Sequence, residues 1–153
     1  MAGPAARITV LDDHPQTLEL MRDVLEPDGY VVSCTTRIGP QLHEIRDAQP
    51  DLVVIDLLLA TDQRILSGWD VVRLARSHAD LHRVPILVIS ADHALLRSVR
   101  KEATRMRDVY LLPKPFGLEQ LHTAIRDALG QSPERSAAAA LAPAPDDEIA
   151  QAL

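Results

Sequence analysis

The chain has 153 residues, of which 46% are apolar and 25% charged, with a net charge of −6. That balance predicts a globular domain with a buried core rather than a disordered or fibrous chain, and the acidic excess argues against broad nucleic-acid binding. The longest apolar runs, Leu52 to Ile55 and Pro85 to Ile89, are strand-length and well short of the roughly 20 residues of a membrane span, so no membrane segment is expected.

Met1 to Ala6 lacks the basic start and long apolar stretch of a secretory leader, and the expected location is cytoplasmic. Arg7 to Leu11 is a short, β-branched run that stops at two aspartates and predicts a first strand. Pro15 suits the first turn of a helix, and Leu18, Met21 and Leu25 follow at helical spacing until Pro27 and Gly29 end it. Tyr30 to Cys34 predicts a second strand, with the single cysteine, Cys34, as a small core residue rather than a reactive one. Gly39 to Ala48, carrying Leu42 and Ile45, predicts a short second helix.

Leu52 to Ile55 is an unbroken apolar run of the kind found in strands covered on both faces, and it ends at Asp56. A loop from Leu57 to Ser67 leads to a helix over Gly68 to Ala79, with Val71, Val72, Leu74 and Ala75 inward. Pro85 to Ile89 is the fourth strand, and Leu95, Leu96, Val99 and Ala103 mark the fourth helix. Val109 to Leu112 is the fifth strand, and Leu118, Leu121 and Ile125 lie on one face of the fifth helix.

Strict alternation of five strands and five helices predicts an α/β, doubly wound parallel sheet. In such sheets ligands bind beyond the carboxyl ends of the strands. Residues 6–130 form the expected domain. From Gln131 the composition turns to Ala, Pro, Ser and acids, predicting a flexible tail; the alternative is a docking stripe of Ile149 and Leu153 on a short helix capped by Asp146.

Five chemical residues fall at strand ends. Asp12 and Asp13 follow the first strand, Asp56 the third, Ser90 the fourth and Lys114 the fifth. Three converging carboxylates repel one another unless a cation compensates, and a hard divalent ion such as Mg²⁺ fits an all-oxygen set. Lys114, held between Pro113 and Pro115, supplies a fixed positive charge. Any one aspartate is as readily a helix cap; the ordered combination is what carries weight.

Asp12-Asp13, the strand end Val54-Ile55-Asp56, Ile89-Ser90-Ala91 and Lys114-Pro115-Phe116 together resemble the marks of bacterial response-regulator receiver domains, over about Ala6 to Gly130. The resemblance implies a flavodoxin-like receiver fold with strand order 2-1-3-4-5. It implies that Asp56 accepts a phosphoryl group from a phosphohistidine on a histidine kinase or phosphotransfer protein. Asp13, Asp56 and the Leu58 backbone carbonyl would ligate Mg²⁺, and Asp12 would act through water. Lys114 would pair with the phosphoryl oxygens and Ser90 would move toward them, an event passed to a downstream protein target. No DNA-binding module follows, so output through protein contacts is expected.

The pattern also departs from the family. The loop before Gly68 is long, Ala60 stands where a proline is usual, and Leu111, with Tyr110 beside it, replaces the usual aromatic. The resemblance places Leu58 and Asp92 beside the hydrolytic water; apolar Leu58 cannot orient it, which implies slow self-dephosphorylation, the alternative being that Leu58 simply packs on the loop. Arg97, Arg100, Lys101, Arg105 and Arg107 are either a solvated face or a patch for an acidic partner. His78 and His82 have helical spacing but no evident third zinc ligand. An aspartyl-phosphate hydrolase is disfavoured by Leu58, where a second acid would stand, and a phosphorylation-independent interaction module by the complete five-residue set.

Overall fold

The computed structural model describes residues 5–39, 41–59 and 67–130. Strands β1 (Arg7–Leu11), β2 (Val31–Thr35), β3 (Leu52–Asp56), β4 (Ile86–Ser90) and β5 (Val109–Pro113) alternate with helices α1 (Pro15–Leu25), α2 (His43–Arg46), α3 (Gly68–Ser77), α4 (His93–Arg105) and α5 (Leu118–Leu129). All pairings are parallel, in the order β2-β1-β3-β4-β5. This is the doubly wound flavodoxin-like arrangement with the expected order.

Period-two alternation divides the sheet into two cores. Val53, Ile55, Ile86 and Val88 pack with Ile45, Val72, Ala75, Leu96 and Val99 of α2, α3 and α4. Leu52, Val54, Leu87 and Ile89 pack with Leu18, Met21, Leu25, Leu121 and Ile125 of α1 and α5 on the other face. Every residue of β3 and β4 is buried, which is why those strands are apolar throughout instead of alternating. Tyr110 and Leu111 pack on opposite faces, Tyr110 with α1 and α5 and Leu111 with α3 and α4, as their adjacency requires.

Element boundaries differ from expectation in a few places. The second helix is one turn, His43–Arg46, not Gly39 to Ala48. Leu42, just before it, is left-handed at φ 58°, and Ile38 and Leu42 are buried from irregular backbone. β2 begins one residue later than expected and the third helix ends at Ser77 rather than Ala79. β4 and β5 run on to include Ser90 and Pro113, because Ser90 pairs with Pro113 across the ladder. Cys34 is half-buried against the α1 and α5 core, its Sγ 3.8 Å from the Leu18 carbonyl. The expectations for Ala60 and for the tail, with Asp146, Ile149 and Leu153, lie outside the described residues. No helix among the described residues is long and apolar enough to cross a membrane.

Candidate functional site

The carboxyl ends of β1 and β3 lie side by side where the strand order reverses: the chain leaves β1 for β2 on one side and reaches β3 on the other. Leu11 is in register with Ile55, so Asp12 emerges beside Asp56. Ile89 pairs with Asp56 and Pro113 with Ser90, which brings Ser90 and Lys114 to the same edge. The sheet itself therefore assembles all five residues from four separate stretches of sequence.

The Lys114 Nζ lies 3.1 Å from Asp56 Oδ2 and 3.9 Å from Asp12 Oδ2. The second Asp56 oxygen accepts a hydrogen bond from the Leu58 N–H at 2.8 Å, so the carboxylate is held at both atoms. Lys114 is anchored through its backbone: its N–H donates to the Ser90 carbonyl at 2.8 Å, and its own carbonyl lies 2.7 Å from His93 Nε2. The Lys114–Pro115 peptide bond is cis. The Ser90 hydroxyl, fully buried, accepts the Asp92 N–H at 3.0 Å. Asp92 in turn caps α4 by accepting the Leu95 N–H. A side chain at the site is thus hydrogen-bonded to the N-cap residue of a helix leading away from it.

Asp12 is the deepest acid, with 0% of its surface exposed. Its Oδ1 accepts the His14 backbone N–H at 2.9 Å, while Oδ2 is buried without a hydrogen-bond partner. Burial pushes the Asp12 carboxyl above its ordinary range and Asp56 adds repulsion, against the lowering effects of the His14 backbone and ring and of Lys114. Asp13 is partly exposed, and the ring of His14 spans the pair, 3.1 Å from Asp12 and 3.0 Å from Asp13.

An orphaned buried carboxylate oxygen beside a second carboxylate, with one ammonium group shared between them, is a site that gains from a further cation. The donors contributed by Asp12, Asp13 and Asp56 are hard oxygens, so the residues fit Mg²⁺.

Gly68 explains how α3 closes the site. A β-carbon there would overlap the Asp56 carbonyl oxygen and lie 2.8 Å from that of Leu57, so only glycine lets the helix start this close to β3. Ser67 caps the helix in a reciprocal pair with Asp70. Leu58 is 53% exposed, and one oxygen of the Asp92 carboxylate is engaged in capping α4. His14, Gly68, His93 and the capping role of Asp92 were not among the expected site residues. His14 directly follows the acid pair and could have been noticed; the contact of His93 with Lys114 spans 21 positions and leaves no local trace. His78 and His82 bond locally, to the Asp80 N–H and the Ala79 carbonyl.

A family model described as response regulator receiver domain matches residues 8–126. The chain is 32% identical over 138 residues to the response regulator MprA of Mycobacterium bovis (strain BCG / Pasteur 1173P2), covering 90% of this chain and 56% of that protein. It is 28% identical to the DNA-binding transcriptional regulator NtrC of a Bradyrhizobium species, over 95% of this chain and 28% of that protein. The chain thus spans at most about half the length of these curated relatives. Among solved structures, the chemotaxis response regulator CheY4 of Vibrio cholerae superposes with a TM-score of 0.68 at 19% identity, covering 81% of this chain and 98% of that one. The receiver domain of the sensor histidine kinase PA1611 of Pseudomonas aeruginosa PAO1, with a magnesium ion coordinated in its active site cleft, gives 0.67 at 23% identity, covering 83% and 99%. On its matched family model and its fold, this chain belongs to the response regulator receiver domain family.

Proposed function

We propose that the protein is a phosphoacceptor switch: Asp56 takes a phosphoryl group from the phosphohistidine of a histidine kinase or phosphotransfer protein and signals through protein contacts. The observation that carries this reading is the Lys114 ammonium 3.1 Å from Asp56 Oδ2, beside the buried, unpartnered Asp12 Oδ2. Asp13, Asp56 and the Leu58 carbonyl would hold Mg²⁺, with Asp12 acting through water. When bound, the ion neutralises the phosphoryl oxygens during transfer.

This chain's own residues do the rest. The Leu58 N–H and Lys114 hold the Asp56 carboxylate in one orientation, ready for in-line attack. An Asp56 oxygen bonds to phosphorus as the P–N bond to the donor imidazole breaks, and the imidazole nitrogen takes a proton from solvent. The product is an acyl phosphate whose extra negative charge faces Lys114. The Ser90 hydroxyl, turning from the Asp92 N–H toward that charge, would alter the cap of α4 and pass the event to the surface. The domain acts only on its own phosphorylation state.

Trp69, the only tryptophan and buried beside Gly68, reports on the site. With Mg²⁺ present, acetyl phosphate is expected to change its fluorescence and add one phosphoryl group to the intact mass. Asp56→Asn should abolish both. Phosphorylation persisting in Asp56→Asn, or a wild-type protein inert to acetyl phosphate and to beryllofluoride, defeats the reading.

A further inference from the structure

The Lys114 ammonium meets Asp56 at the end of a long, flexible side chain, so where it points depends on how its main chain is held. Both polar atoms of that main chain are bonded to the junction of β4 and α4. The N–H donates to the Ser90 carbonyl at 2.8 Å, in line with the β4–β5 pairing. The carbonyl lies 2.7 Å from His93 Nε2. A carbonyl oxygen only accepts, so the ring carries a proton on Nε2 and donates it.

The fold itself has little need of this second bond. His93 is exposed, and where water can reach the ring, losing one partner costs little stability. What the bond supplies is a connection. His93 is the first residue of α4, directly after the cap Asp92, whose own N–H rests on the Ser90 hydroxyl at 3.0 Å. The lysine is thus clamped between the end of β4 and the start of α4. Its ammonium stands 3.1 Å from Asp56 and 3.9 Å from Asp12, within reach of either carboxylate, so a small shift of the main chain redistributes it between them.

We propose that His93 is a positioning residue for Lys114: it holds the lysine carbonyl so that the ammonium faces Asp56 rather than Asp12. The inference rests on the phosphoacceptor reading and deepens it, because the charge that meets the phosphoryl oxygens is then placed by the first residue of α4. Whatever moves the start of α4 moves the lysine, and the reverse holds equally.

Lys101 and Lys114 are the only lysines of the chain, so exposed Lys101 is an internal reference for amine labelling. The full chain would be compared as wild type, His93→Ala, His93→Asn and His93→Gln. Three quantities are read: reductive methylation of Lys114 relative to Lys101, the rate of phosphorylation by acetyl phosphate at saturating Mg²⁺, and melting temperature. Glutamine puts an amide N–H where the histidine Nε2 stands, asparagine is too short to reach, and alanine has no donor. His93→Ala and His93→Asn should label about three- to tenfold faster at Lys114, the worth of one hydrogen bond, and should take up phosphate more slowly by a similar factor. Their melting temperatures should stay within about 2 °C of wild type. His93→Gln should restore both labelling and rate, and nitrogen NMR of neutral His93 should find its proton on Nε2. Equal labelling and rates in all four proteins, a glutamine variant that behaves like alanine, a proton on Nδ1, or a melting temperature that falls in step with the rate overturns the role. Labelling that follows His93 in a protein inert to acetyl phosphate and beryllofluoride defeats the phosphoacceptor reading alone and leaves the positioning of Lys114 standing.

Discussion

Asp12 is buried at some cost to the fold, whereas Gly68 is required by it. A carboxyl whose folded pKa is raised binds its proton more tightly in the native state than in the unfolded one, so its contribution to stability falls as pH rises from the unfolded value through the folded one. The penalty from burying Asp12 as a charged group therefore grows as pH rises above the unfolded value. Asp12→Asn keeps an oxygen to accept the His14 N–H and removes the buried charge. It should raise stability by about 1 kcal/mol, or a few degrees in melting temperature, while weakening Mg²⁺ binding; a lower melting temperature would contradict this. Gly68→Ala should act in the opposite sense. Its β-carbon meets backbone of Asp56 and Leu57 that cannot yield without moving the acceptor, so a loss of roughly 2 to 3 kcal/mol in denaturant unfolding is expected, together with impaired phosphorylation.

At the scale of elements, α3 and α4 are tied together by one acid. Glu102 accepts bidentate hydrogen bonds of 2.7 Å from Arg73, and the Trp69 indole N–H donates to it at 3.0 Å. These contacts hold its carboxyl down at about 2, the Arg73 hydrogen bonds being the largest cause. A depressed acid contributes stability above its unfolded value, about 4.3, and loses it as pH falls toward about 2. Glu102→Gln should therefore melt below wild type at neutral pH, and the two melting curves should converge as the pH is lowered through that window. A gap that persists at pH 2 would mean that packing, and not charge, joins the helices. With Glu102 engaged by Arg73 and Trp69, exposed Arg97, Arg100, Lys101 and Arg105 of α4 form no ion pair among the described residues.

For the whole molecule, two apolar layers share one five-stranded sheet, and the site lies on the edge where both layers end. Ligands that bind only the assembled edge should stabilise the entire domain by mass action. Mg²⁺ with beryllofluoride at about a hundred times the dissociation constant should add roughly 2.7 kcal/mol to unfolding, seen as one transition shifted upward in a thermal melt. Asp56→Asn should remove the shift. An upward shift equal in that variant would place the binding elsewhere.

How much of this was legible in the sequence depends on the range over which each feature is decided. Strand and helix identities follow from side-chain periodicity, a local property, so β1, β3, α1, α4 and α5 stand out; and Asp12, Asp13, Asp56, Ser90 and Lys114 all sit at strand ends because apolar runs stop there. The four-residue α2 was overread as Gly39 to Ala48, since buried Ile38 and Leu42 present an apolar pattern whatever their backbone. What only the tertiary structure decided are distances between segments far apart in the chain: Lys114 against Asp56, His93 holding the Lys114 carbonyl, Gly68 against the Asp56 backbone, and Glu102 paired with Arg73. Burial of Asp12, and the shift it causes, also appears only after the sheet closes around it, because desolvation belongs to a position in the fold and not to a residue type.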